Sequence, residues 1–304
     1  MARLVSLTLI AALLGAACGP GAGGDPARSQ VVASFYPLAF AAGAIGGDAA
    51  EVLDLTPPGG EPHDLELTSS QVLRLSEADV VFYLGAGFQP AVEQALDDVD
   101  GRVVDLLPEG EEHAGEDDAD DADDADADAD HDHEGADPHV WLDPVEMSEV
   151  VRTMVAELVA LDDGNRATYE GNGRALLDRL DALHAEYTEG LADCESRVVI
   201  TAHDAFGHLA ERYDLEEIGI AGIDPEAEPS PQRLVEVAEL ARERGVTTIF
   251  FERLLPTQVA EIVADRAGVE TSVLDPIETA PDDGDYLGAM RANLDALREA
   301  LQCE

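Results

Sequence analysis

The 304-residue chain contains no lysine; its 17 basic residues are all arginine and face 66 aspartates and glutamates, for a formal net charge of −49. A surface so poor in positive charge repels nucleic acid and anionic lipid headgroups, which excludes both as charge-driven partners. Cations suit it far better. The run from Glu109 to Asp137 holds 16 of the acidic residues, and the other 50 are spread along the rest of the chain. Cysteine is scarce, at three residues, so the fold cannot rest on a framework of disulfides; a hydrophobic fraction of 45% is enough to build real cores instead. Long apolar runs are also missing. The longest, Leu4 to Leu14, falls well short of the roughly 20 residues that cross a bilayer.

That short run follows Arg3 and leads into Gly15-Ala16-Ala17-Cys18, which together read as a secretory signal over residues 1–18. Cleavage before Cys18 with lipid on its sulfur resembles the bacterial lipoprotein pattern, and residues 19–28, rich in Gly, Ala and Pro, would form a flexible tether to the membrane. The expected location is extracytoplasmic and lipid-anchored. Cys194 and Cys303 either close one disulfide in that oxidising setting or stay as two separate buried thiols.

Beyond the tether, eight short runs rich in Val, Ile, Phe and Thr read as strands: Gln30–Phe35, Glu51–Thr56, Ala78–Leu84 and Arg102–Leu107, then Arg197–Ala202, Leu215–Ala221, Thr247–Glu252 and Thr271–Asp275. Helical patterns lie between them, with Ser230-Pro231 and Pro256 marking helix starts and Gly268 a stop. Alternation of this kind predicts an α/β fold of two (β/α)4 lobes with parallel sheets, residues 29–164 and 193–304. Between the lobes, Leu176, Leu177, Leu180, Leu183, Tyr187 and Leu191 recur at three- and four-residue spacing. They predict one long helix over 165–192, about 40 Å in length, rigid enough to limit lobe motion.

Four segments place a metal-ligating residue beside the end of a predicted strand or a helix start. They are Glu61-Pro62-His63-Asp64, Asp137-Pro138-His139-Val140-Trp141, Thr201-Ala202-His203-Asp204 and Val273-Leu274-Asp275-Pro276. Open α/β sheets bind ligands outside the carboxyl ends of their strands, so His63 and His139 from one lobe could face His203 and Asp275 from the other. Three imidazoles and a carboxylate suit Zn²⁺. His113, His184 and His208 are read as surface or core residues.

In this order, Ser34-Phe35-Tyr36-Pro37-Leu38, Pro62-His63-Asp64, Leu75-Ser76-Glu77-Ala78-Asp79, Pro138-His139-Val140-Trp141-Leu142-Asp143-Pro144, His203-Asp204-Ala205-Phe206-Gly207 and Leu274-Asp275-Pro276 resemble the zinc- and manganese-binding receptors of ABC importers, the cluster A-I solute-binding proteins. The resemblance covers nearly the whole mature chain. It implies His63, His139, His203 and Asp275 as ligands, and an importer permease with its ATPase as partner. It implies zinc as the transported ion, since the manganese receptors place a carboxylate at the third position, here His203. The family more often has Tyr where this chain has His208. The chain is expected to act as a monomer.

Residues 109–137 cannot bury apolar surface and are expected to be disordered. They resemble the acidic, His-rich loop of zinc receptors, so His113, His131 and His133 are candidate auxiliary ligands in a weak collecting site; the alternative is a plain solvated insert. A manganese or iron receptor and an adhesin are competing readings. So is a zinc hydrolase, but the helical His-Glu-x-x-His pattern is missing and Asp64 and Asp204 are as apt to orient imidazoles as to act as bases.

Overall fold

Residues 28–107 and 137–304 are described by a computed structural model. Cys18 and the histidines at 113, 131 and 133 lie outside the described residues. All eight expected strands form. In chain order the elements of the first lobe are β1 (Ser29–Ala33), α1 (Tyr36–Gly46), β2 (Ala50–Asp54), α2 (Ser69–Ser76), β3 (Val80–Tyr83), α3 (Pro90–Ala95), β4 (Arg102–Asp105) and α4 (Pro144–Leu161). The connecting helix α5 (Arg166–Gly190) follows, and the second lobe has β5 (Val198–Thr201), α6 (Gly207–Arg212), β6 (Glu216–Gly219), α7 (Pro231–Arg244), β7 (Thr248–Phe251), α8 (Gln258–Ala267), β8 (Glu270–Val273) and α9 (Tyr286–Leu301).

Every strand pairing is parallel, in the orders β2-β1-β3-β4 and β6-β5-β7-β8. Parallel sheets bury both faces, and the central strands show it. Val31 and Ala33 of β1 point into one core while Val32 points into another. Helix punctuation behaves as its residues dictate: the Ser230 hydroxyl accepts from the Arg233 N–H to open α7. Gly268, at φ 79°, takes the left-handed turn that closes α8.

Helix α5 agrees with its expected span to within two residues at each end, and its 25 residues cover about 37 Å. Its buried stripe is Tyr169, Gly173, Leu176, Leu180, Leu183 and Tyr187. Gly173 is required by packing, because a Cβ there would sit 2.3 Å from Val155 Cγ2 on α4. Farther along, the Tyr187 hydroxyl donates to the Met290 carbonyl of α9 at 2.6 Å. One continuous core therefore runs through both lobes, joining Phe35, Leu38 and Phe82 to Leu183, Phe250, Leu297 and Leu301. A connector sealed into such a core resists hinge bending.

Cys194 and Cys303 form a disulfide across a sequence separation of 109 residues, tying the end of α5 to the last turn of the chain. No helix among the described residues is long and apolar enough to cross a membrane.

Candidate metal centre

The carboxyl ends of the two sheets face each other, and the loops that follow the strands meet there. His63 lies in the loop between β2 and α2, and His139 just before a short 3-10 turn (Val140–Leu142) that leads into α4. His203 sits between β5 and α6, and Glu278 between β8 and α9. One ligand atom from each of these four lies within 4.8 Å of every other. His139, His203 and Glu278 are fully buried, and the His63 side chain keeps 12% of its exposure, so the cluster is closed except at His63.

The spacing is that of a slightly expanded tetrahedron. His63 Nε2 is 3.3 Å from Glu278 Oε1, His203 Nε2 is 3.4 Å from His139 Nε2, and both of those nitrogens are 4.0 Å from Glu278 Oε1. Four-coordinate Zn²⁺ with bonds of about 2.0–2.2 Å requires ligand separations of about 3.3–3.6 Å. His63 Nε2 and Glu278 Oε1 are close but not aligned for a hydrogen bond, and both are buried polar atoms with no partner. Such orphaned atoms cost roughly 1–3 kcal/mol each, which a cation at the common centre would offset.

Two of the imidazoles are aimed by carboxylates behind them. His139 Nδ1 is 2.6 Å from Asp137 Oδ1, and the same oxygen accepts the His139 backbone N–H at 3.0 Å. His203 Nδ1 is 2.6 Å from Glu252 Oε1. With Nδ1 committed in this way, Nε2 of each ring is left to face the centre, the usual carboxylate–histidine–metal arrangement. The segment carrying His139 is pinned across the lobes: Trp141 Nε1 donates to the Pro276 carbonyl at 2.6 Å, and the Tyr286 hydroxyl donates to the Trp141 carbonyl.

Protonation follows from this geometry. Burial pushes the His203 pKa down to about 4 and lowers that of His139, so both rings are neutral and able to ligate at neutral pH. Burial also opposes charge on His63, yet the Glu278 carboxylate beside it prevails and raises the pKa. Glu278 itself is held low; burial works to raise it, and the three imidazoles, His63 first, outweigh that. Burial raises Glu252 well above the usual carboxylate range, and Glu61, pushed to about 8 by burial and then by Glu278, rises with it. Two ionised carboxylates, Asp137 and Glu278, and two acids that a nearby cation would help ionise, Glu61 and Glu252, gathered around three imidazoles make a site whose chemistry calls for a cation.

The expectation for Asp275 is corrected here. Its Oδ2 accepts from Arg253 Nε at 2.7 Å and its Oδ1 from the Ile277 N–H at 2.8 Å, so both oxygens are committed away from the cluster. Its backbone is bracketed by Asn293 on α9. What Asp275 does is pin a tight turn in which Ile277 adopts φ 58°, a left-handed conformation that a β-branched residue rarely takes. That strained turn delivers Glu278 to the centre three residues later. No sequence spacing singles Glu278 out, since the partner that occupies Asp275 lies 22 positions back. Two other residues near the cluster are held by local contacts. Glu61 accepts the His63 backbone N–H at 3.1 Å, and His208 lies one contact behind Asp137.

The sequence profile of the family described as ZnuA, zinc-uptake complex component A periplasmic, matches residues 31–300. The chain is similar to the high-affinity zinc uptake system protein ZnuA of Bacillus subtilis, at 34% identity over 307 residues, covering 95% of this chain and 94% of that one. It is also similar to the zinc-binding lipoprotein AdcA of Streptococcus pneumoniae, at 32% identity over 291 residues, 91% of this chain but only 56% of that longer protein. Among solved structures, the laminin-binding protein Lmb of Streptococcus agalactiae superposes with a TM-score of 0.77 at 29% identity, covering 90% of this chain and 99% of that chain. The Zn(II)-bound ZnuA-like domain of S. pneumoniae AdcA gives 0.74 at 29% identity, with 90% and 99% covered. With the profile spanning both lobes and the four loops that build the cluster, the chain belongs to the ZnuA family of periplasmic zinc-uptake components.

Proposed function

We propose that this protein captures Zn²⁺ outside the cytoplasm, in the cleft between its lobes, and delivers it to the permease and ATPase of an ABC importer. The observation that carries the reading is the convergence of His63, His139, His203 and Glu278 within 4.8 Å, two of the rings being aimed by carboxylates. His63, His139, His203 and Glu278 are the ligands in this reading, and Asp275 is a turn residue. Three nitrogens and one oxygen favour zinc over manganese, which prefers oxygen donors. A closed set of four protein ligands also suits a carrier better than a hydrolase, which keeps one position open for water.

The same reading takes residues 29–164 and 193–304 as the two lobes, 165–192 as the connector, and a monomer held at the membrane through lipid on Cys18. The acidic segment 109–137, with His113, His131 and His133, acts as a weak collector of zinc near the cleft. Metal analysis of the purified protein, with Zn²⁺ and Mn²⁺ in competition, tests the assignment. One tightly held zinc, resistant to excess Mn²⁺ and lost in His203→Ala, is expected. Preference for Mn²⁺, or retention of zinc by that variant, would overturn it.

A further inference from the structure

His208 is not part of the cluster, yet it reaches the cluster through a single intermediate. It sits on α6 of the second lobe, and its Nε2 donates to the backbone carbonyl of Asp137 at 3.0 Å, 3.7 Å from the Asp137 carboxylate. Its Nδ1 is 3.1 Å from Glu146 Oε2 on α4. The carbonyl makes Nε2 the donor, and the carboxylate beside Nδ1 favours a second proton on the ring. Burial alone would lower its pKa, but Glu146 and then Asp137 raise it to about 9, in keeping with that geometry.

Asp137 in turn holds His139 twice, through the ring Nδ1 and the backbone N–H. The fit around Asp137 is tight, because a Cβ at Gly207, the residue before His208, would lie 2.8 Å from Asp137 Oδ2. The first residues of α6 are thus shaped to the residue that aims His139. A second contact from α6, Arg212 Nε to Asp143 Oδ2 at 2.7 Å, joins the lobes without touching Asp137.

We propose that His208 is a positioning residue which, from the second lobe, holds Asp137 and through it the orientation of His139, so that the rate of metal release depends on this contact between the lobes. The proposal rests on the zinc reading above. It names a residue that holds the metal in place without ligating it, and a route by which loosening of the α4–α6 contact would free the ion.

The test uses the full mature chain loaded with Zn²⁺, with release followed by a chelator chase and geometry by the visible absorption of the Co²⁺-substituted protein. His208→Ala is expected to speed release about tenfold, the lower end of what outer partners of metal-bound imidazoles cost, and Asp137→Ala by about 10–100-fold. If His208 acts through Asp137, the double variant releases zinc no faster than Asp137→Ala alone. Gly207→Ala, which crowds Asp137 without removing a hydrogen bond, should alter the Co²⁺ spectrum as His208→Ala does. Arg212→Ala, which loosens the same lobe contact elsewhere, should leave both spectrum and release rate near wild type. Multiplying effects of His208→Ala and Asp137→Ala, or equal acceleration by Arg212→Ala, would overturn the positioning role. Unchanged release in His208→Ala would do the same while leaving the zinc assignment intact, whereas a wild-type protein that binds no zinc would end both.

Discussion

Glu278 and Asp275 lie three residues apart in one loop, and the structure gives them opposite parts, so a paired substitution separates them cleanly. Distances of 3.3 and 4.0 Å from Glu278 Oε1 to the three imidazole nitrogens leave room for one shared ion, which the four atoms would reach at about 2.0–2.2 Å after closing in by a few tenths of an ångström. Glu278→Gln keeps the shape and removes the only ligand that brings negative charge. Losing a partner one step further out costs 10–100-fold in metal affinity, so losing the ligand itself should cost more, about 1,000-fold or ~4 kcal/mol. Without metal the same variant should be no more stable than wild type, since relief of the repulsion on Glu61 and Glu252 is set against loss of the carboxylate that holds the His63 proton. Asp275→Asn removes an ion pair with the partly exposed Arg253, worth about 0–1 kcal/mol, and should shift zinc affinity only a few-fold. Competition against a chromophoric chelator measures both affinities, and thermal melts of metal-free protein measure the stabilities. If Asp275→Asn lost zinc while Glu278→Gln kept it, the assignment of the fourth ligand would be wrong.

Trp141, buried with its ring 5.0 Å from that of His139, should report metal arrival as a saturable fluorescence change that His139→Ala abolishes; a flat titration would contradict the placement. The raised pKa of His63 means that below it the ring carries a proton that zinc must displace, so apparent affinity should climb with pH and level off once that pKa is passed. Calorimetry at pH 6.5 in buffers of differing ionisation heat should therefore find net proton release on zinc binding, from His63 and from the raised acid Glu61 beside it, because His203 is already neutral there; no release would count against the ligand set. Replacing Cys194 and Cys303 by serine should lower stability by about 2–5 kcal/mol, given the long loop they close. Zinc affinity should not change, since the disulfide lies at the end of the second sheet remote from the metal loops, and an altered affinity would point to coupling between the two ends.

The sequence alone was enough for the repeating parts of the protein. Eight runs of β-branched and aromatic residues, the capping Ser230, the left-handed Gly268 and the three- and four-residue stripe of α5 are local signals, each read by its own backbone. His63, His139 and His203 were legible for a related reason: they sit just past strand ends or just before helices, where α/β sheets present their ligands. Tertiary structure decided the rest. Asp275 and Glu278 offer the same chemistry in an aperiodic loop, and the choice between them rests on Arg253 and Asn293, brought up by β7 and α9, together with the strained turn at Ile277. Likewise Glu252 stands behind His203 because β5 and β7 are neighbours in one sheet, and His208 reaches Asp137 only because the two sheets meet end to end, whereas Asp137 holds His139 from two residues away. A side chain's own neighbours set its helix or strand; which atom it faces depends largely on residues tens of positions away, and only the packed core brings those into register.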